Sequence, residues 1–511
     1  MQVQSELSAR RLVGALLTVA MIPAVLAVIA VSYQRPALPP GPADYNPVAL
    51  HTAPVLAALQ ARELQRSRRM ADEVPGSAGP RLVPGTFPEP VPTVVLPPRA
   101  TPYDLAEVQR SVPAAFGTVG DALLVRASIE VPAGAQLDID GAVTPEVRLF
   151  SAPSGFATII ARGGTVAVRG TAETPVAISS WDPDAGAVDE EPADGRAFLL
   201  AFGGRMDIAH ADVGHLGFGT GTSSGLAWRG ADHSPGMPGQ PALGDVSDSV
   251  LHHNWFGAYT FEAHGMQWTG NRFADNAAYG FDPHDLSNDF LVEGNVAHGN
   301  GRHGFIFSRG CDRNVLRNNV AYDNRGHGFM IDDGRSEDSA EGLAARLPSN
   351  DNVLVGNRAY DNDGSGIEIE GGTGTVVQDN VLERNHIGVR IKNDASALVE
   401  GNEITDSRLF GVDVLTGAGE VDIQDNDITG GWASISLGEA TTTQLVGNEL
   451  RDASTPMVVA GVAERDISLA TTVGRVFRWN PLLVLWTAIL GVPAAFALRR
   501  LGRRRMNVRQ S

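Results

Sequence analysis

An asparagine recurs at positions 271, 295, 319, 357, 380, 402, 426 and 448, with steps of 24, 24, 38, 23, 22, 24 and 22 residues. In its fullest form the repeat reads Asn, four residues, Asn, three residues, Gly, then alternating apolar positions. A period of 22–24 residues is the mark of a solenoid, in which each unit buries its apolar face only against its neighbours. The apolar positions alternate with period two, which predicts short strands and excludes helical repeats. Stacked coils place equivalent residues one strand spacing apart, about 4.8 Å. The first asparagines then form one column, Asn276, Asn300 and Asn324 a second, and the glycines at 280, 304, 328, 366, 388 and 411 a third. Asn tolerates left-handed turns and its amide can pair with the amides above and below, so these columns are read as structural.

The expected architecture is an all-β parallel β-helix over residues 103–475, regular from about 246 to 451. A Pro-rich spacer precedes it at 33–102 and holds about half of the 31 prolines. Within the spacer, 46–73 reads either as a short amphipathic helix or as a disordered stalk. The 38-residue step carries about 14 extra residues near Gly334–Ser349, and such an insertion maps to a loop on one face. Two polar excursions, at 180–192 and 233–239, interrupt the earlier coils.

Two apolar runs bracket the repeats. Leu12 to Val31 follows Arg10 and Arg11, and Pro481 to Leu498 precedes five arginines between 499 and 505. Each is long enough to cross a hydrocarbon core of about 30 Å. They are read as transmembrane helices within residues 1–32 and 476–511. The first reads alternatively as a cleaved signal peptide. Arginines at the outer end of both runs place both termini in the cytoplasm and the β-helix outside. The formal charge is −19, which argues against nucleic acid as a partner. An anionic substrate would have to be held by local positive charge. Cys311 is the single cysteine, so no intramolecular disulfide forms.

The stretch richest in chemistry is Asp282-Pro-His-Asp285. Counted from each column glycine, positions +1 and +3 point inward and +2 and +4 outward. Asp282 and His284 therefore face outward, followed on later coils by Ser308 with Arg309, Asp332 with Asp333, Glu368 with Glu370, and Arg390 with Lys392. Spacing alone leaves two readings, a solvated charged face or a binding site.

Three segments carry a resemblance: Tyr279-Gly-Phe-Asp-Pro-His-Asp285, Arg302-His-Gly-Phe-Ile-Phe-Ser-Arg309 and Asn318-Asn-Val-Ala-Tyr-Asp-Asn324. Together with Ser180-Trp-Asp182 and His233-Ser-Pro-Gly-Met237 they resemble the periplasmic, alginate-modifying mannuronan C5-epimerases over roughly residues 160–395. The resemblance implies a right-handed parallel β-helix that epimerises uronate residues. It implies His284 as the base, Arg309 as the cation on the substrate carboxylate, and Tyr279 and Asp282 flanking them. Asp285, Arg302, Ser308, Arg390 and Lys392 complete the expected substrate-contacting set. The chemistry fits these residue types, because removing a proton alpha to a carboxylate builds a dianion that a guanidinium stabilises. The scheme calls for no cofactor and no metal. The expected partners are an anionic polysaccharide, the membrane and a membrane glycan synthase. A non-catalytic carbohydrate-binding β-helix and a polysaccharide lyase stand as alternatives.

Overall fold

The computed structural model describes residues 79–85, 91–219, 221–231, 240–334, 347–438 and 442–459. Each coil adds one strand to each of three sheets. The coil that opens at Phe281 runs through Phe281–His284 on the first sheet, Leu291–Glu293 on the second and Val296–His298 on the third. It returns to the first at Phe305–Ser308. The sheets hold 15, 13 and 16 strands, and coil-to-coil pairing is parallel. The expected parallel β-helix is observed.

Apolar residues at the inward positions stack in register. Phe281, Phe305, Phe329, Ile367, Val389, Val412 and Ile435 form one fully buried column. The core is most aromatic beneath the Asp282–Asp285 coil, where Phe281 packs 4.3 Å from Trp268 and 5.4 Å from Phe273, centroid to centroid. Below it, Phe305 and Phe329 stack at 5.0 Å. Each such ring contributes roughly 25 cal/mol per Å² of apolar surface removed from water.

The two asparagine columns are hydrogen-bonded ladders at the corners of the coil. Asn300 Nδ2 donates to Asn324 Oδ1 at 2.9 Å and to the Phe273 carbonyl at 3.2 Å. Its own Oδ1 accepts from the backbone N–H and the Nδ2 of Asn276 at 3.1 and 2.9 Å. Every polar atom of the buried amide is thus used, as a dry corner requires. The column glycines make room for this ladder. A Cβ on Gly280 would lie 2.5 Å from the Gly304 carbonyl oxygen and 2.9 Å from Asn300 Nδ2.

The left-handed turn residue is not the ladder asparagine. It is the residue before it: Gly270, Gly294, Asn318, Gly356, Asp379, Gly401, Asp425 and Gly447 all have φ between 52° and 68°. The asparagines are selected for their amides, and the residue ahead of them for its backbone. A third short ladder, Asn314 to Asn352, stands at the remaining corner.

The strands begin before residue 103. Thr93–Val95 pairs parallel with the Ser128–Pro132 strand, and Arg81–Val83 pairs antiparallel with Thr93–Val95. A seven-residue helix, Leu105–Ser111, capped by the Asp104 carboxylate, inserts Leu105 and Val108 into the core near this end. The excursion at 180–192 opens as a hairpin of Val176–Asp182 with Ala187–Val188. The excursion at 233–239, the insertion from 335 to 346, most of the spacer, any closing strand beyond 459 and both apolar runs lie outside the described residues. Among the described residues no helix is long and apolar enough to cross a membrane.

The ladder gives a direct test. Asn300→Ala removes both acceptor and donor from a dry corner and strands the Asn276 amide. At about 1–3 kcal/mol per buried orphan, the expected loss is about 3 kcal/mol or more, measured by urea unfolding. A loss below about 1 kcal/mol would mean that water or relaxation replaces the ladder.

Candidate functional site

The site strand carries Pro283 where the preceding coil has Thr260 and the next two coils have Phe307 and Ile331. Pro283 has no N–H to give to a sheet, and Phe281 with Phe305 is the one registered pair between this strand and the next. The ladder resumes one coil later with four consecutive pairs, Phe305 to Ser308 against Phe329 to Asp332. The interruption falls between His284 and the Ser308–Arg309 segment.

His284, Asp285 and Arg309 meet there. Asp285 Oδ1 lies 2.7 Å from His284 Nδ1 and 3.4 Å from Arg309 Nε. The Asp285 backbone N–H also approaches Nδ1, at 3.1 Å. Carboxylate and N–H demand opposite protonation of Nδ1, and the carboxylate contact is the shorter. With Nδ1 protonated toward Asp285, Nε2 is the basic atom of the neutral ring. Burial lowers the His284 pKa, but the hydrogen bond to Asp285 and the charges of Asp282 and Asp285 outweigh it, and the net shift is upward. The His284 side chain keeps 33% of its surface exposed, so a ligand can reach it. Its carbonyl accepts from Ser287 Oγ at 2.8 Å, and Ser287 Oγ in turn meets Thr260 Oγ1 at 2.8 Å.

Arg309 sits at φ 58°, a left-handed conformation uncommon for a long side chain. Its N–H donates to the Asp332 carbonyl and its carbonyl accepts from Leu286. Gly334 leaves space for the arginine stem, since a Cβ there would lie 2.6 Å from Arg309 Cγ.

Asp282 is buried, and among the described residues its Oδ1 accepts no hydrogen bond. Burial pushes its carboxyl up to about 7; the charge of His284 opposes this and that of Asp285 adds to it. Two tyrosines face it. Tyr259 is its register partner on the preceding coil and lies 5.8 Å from the His284 ring. Tyr279 packs between Phe256 and His303, under the Arg302 guanidinium at 5.1 Å. Burial raises both phenols, so both stay protonated at neutral pH.

The outward row is not solvated. Asp332, Asp333, Glu368, Glu370 and Asp413 are all buried. Arg390 Nε contacts Asp413 at 3.1 Å, and Lys392 Nζ bridges Glu368 at 2.8 Å and Glu370 at 3.1 Å. Burial opposes ionisation of Glu368, but His327, Lys392 and Arg390 hold it at about 2. Asp332 is driven the other way, to about 7, by burial and by Glu370. Ser308 is buried and pairs in register with Asp332.

Sequence reasoning passed over Tyr259, His303 and His327. The two histidines stack at 4.7 Å beneath Tyr279, and each Nδ1 accepts a backbone N–H from the next coil. The signal was present, because each directly precedes a column glycine. Tyr259 carried no such mark.

Comparison with known proteins agrees with this architecture. Residues 239–341 match the profile "Right handed beta helix region" and residues 335–468 that of "Periplasmic copper-binding protein (NosD)". The chain is 33% identical over 213 residues to a mannuronan C5-epimerase of Pseudomonas aeruginosa, 40% of this chain and 38% of that one. It is 29% identical over 216 residues to the mannuronan C5-epimerase AlgG of Azotobacter vinelandii, 40% of this chain and 39% of that one. It thus spans about two fifths of these relatives. The crystal structure of the periplasmic alginate epimerase AlgG superimposes with a TM-score of 0.56 at 19% identity, covering 73% of this chain and 85% of that one. That likeness is one of fold.

The Asp282 carboxyl predicts a pH signature. Its folded pKa of about 7 exceeds the ordinary 3.8, so the native state binds more protons between those values and loses stability as pH rises through them. Asp282→Asn removes this term. The variant should gain stability relative to the parent between pH 4 and pH 8, seen in paired unfolding curves. A difference that stays constant with pH would show that Asp282 is ionised throughout.

Proposed function

We propose that this chain, similar to the mannuronan C5-epimerases, inverts C5 of uronate residues in an exported polyuronate. The observation that carries the reading is the meeting of His284, Asp285 and Arg309 across two coils beside a protonatable Asp282. Nε2 of His284 takes the C5 proton, with Asp285 holding the opposite nitrogen protonated and the ring in place. The electrons left on C5 delocalise into the carboxylate, which becomes a dianion. Arg309 binds it bidentately where the charge develops. A proton then returns to C5 from the opposite face, from water or from Tyr279, whose raised pKa keeps it a donor. Asp282, when protonated, donates a hydrogen bond to the same carboxylate rather than repelling it. The C4 oxygen stays bonded, which distinguishes the reaction from a lyase elimination. Asp285, Arg302 and Ser308 line the reacting ring. The polymer follows the outward face across successive coils. Arg390 and Lys392 serve it there by cancelling the charges of Asp413, Glu368 and Glu370, which lets an anionic chain pass.

Deuterium uptake at C5 of polymannuronate in heavy water tests the chemistry. The parent should exchange, His284→Asn should lose all but a few per cent of the rate, and Arg309→Ala should lose roughly a hundredfold or more. Arg309→Lys should recover only part, because lysine lacks the planar fork. Unsaturated chain ends in the product, or full exchange by His284→Asn, would overturn the assignment.

The two apolar runs anchor the chain at both ends, with the termini cytoplasmic and the β-helix outside, where a membrane glycan synthase delivers the polymer. In a Cys311→Ser background, a cysteine at the exposed Glu420 should react with an impermeant thiol reagent in intact cells, and one at Asn507 should not. The reverse pattern would invert the topology and remove access to an exported polymer.

A further inference from the structure

One and two coils before the Asp282 strand, three imidazoles converge at the corner between the third and first sheets. Nitrogens of His215, His252 and His253 all lie within 4.8 Å of one another. His252 Nδ1 is 2.8 Å from His253 Nδ1. The His215 and His253 rings stack at 4.9 Å, and His252 stands edge-on to both, at 5.5 and 5.0 Å.

Local structure does not call for these histidines. His215 and His253 occupy the left-handed position, φ 58° and 52°; His253 directly precedes the ladder residue Asn254, and His215 precedes Leu216, whose N–H donates to the Asn254 amide oxygen. On the following coils that position is filled by Asp275, Gly299, Asp323 and Asp361, residues that adopt the conformation readily. Two successive coils instead carry imidazole there, beside a third imidazole on the adjoining strand. Gly214, the register partner of His252, leaves room for the ring, since a Cβ on it would meet His252 Cε1 at 2.5 Å.

The orientation of His252 is fixed from behind. Its Nε2 lies 2.7 Å from Asp212 Oδ1. A carboxylate on one imidazole nitrogen holds the proton there and turns the lone pair of the other outward, the arrangement that metal-binding histidines use. The lone pair of Nδ1 then points at His253 Nδ1.

We propose that His215, His252 and His253 bind one divalent transition-metal ion of the zinc class, with Asp212 orienting His252. Three nitrogen donors suit zinc, copper or nickel better than calcium or magnesium. Tetrahedral zinc with bonds of about 2.0–2.1 Å separates its ligand nitrogens by about 3.3 Å, so His252 and His253 need to part by about half an ångström, and no pair of the three needs to close by more than about 1.5 Å. His253 is exposed, which leaves the fourth position to solvent. The ligands come from two successive coils, and the ion joins them. The proposal does not depend on the epimerase reading, and no step of that reaction passes through this corner.

The test titrates zinc into the full-length chain, purified without a polyhistidine tag and stripped with chelator. One saturable site of micromolar or tighter affinity is expected, with a rise in unfolding temperature on binding. His215→Asn with His253→Asn keeps side chains that accept the left-handed backbone, and should weaken binding by at least about a hundredfold. Asp212→Asn should weaken it roughly 10–100-fold. His284→Asn should bind zinc as the parent does. Cobalt bound to the parent should show visible absorption of a four-coordinate nitrogen site, a readout that needs no variant. Absence of saturable binding, an aqueous-type cobalt spectrum, or unchanged affinity in the double variant would each overturn the proposal.

Discussion

The amide ladder at the corners is the interaction on which the rest of the structure depends. A parallel sheet alone does not fix where each coil begins, because strands of three to six residues tolerate slippage. The asparagines remove that freedom. Each amide must find the next one at hydrogen-bond distance in a dry corner, and only one register allows it. Register in turn puts His284 and Arg309 beside one Asp285 carboxylate, although they lie on different coils. The 38-residue step obeys the same ladder as the 24-residue steps. An insertion is accommodated provided that the corners still align.

The outward face beside the site is a buried electrostatic network rather than a charged surface. Isolated buried carboxylates either neutralise or find cations, and this face shows both outcomes. Glu368 stays ionised against Lys392, Arg390 and His327, while Asp282 and Asp332 are driven toward the protonated form. An anionic polymer approaching such a face meets fewer negative charges than the sequence counts.

Much of this was legible in the sequence. The repeat, its three columns and the inward and outward positions follow from period and residue type, and the structure reproduces them. Depth was not legible. Period two says which way a side chain points, not whether neighbouring coils cover it, so the acidic row, for which a solvated face is one of the two readings from spacing, is in fact enclosed. The left-handed residue was placed one position late, because the ladder asparagine and its turn residue are adjacent and both are commonly Asn, Asp or Gly. Tyr259 lies outside the resembling motifs, and only register brings it to His284. His215 and His253 are 38 residues apart, and their meeting depends on the lengths of the loops between them.

Lys392 has a consequence for chemical labelling. It is the only lysine among 511 residues, so apart from the chain's own amino terminus it is the sole primary amine. It is held between Glu368 and Glu370, partly covered, with its pKa raised: burial lowers it and the two carboxylates more than compensate. An amine-selective reagent therefore meets a single protonated, shielded nitrogen, and its acylation rate reads the integrity of one ion pair among the buried acids.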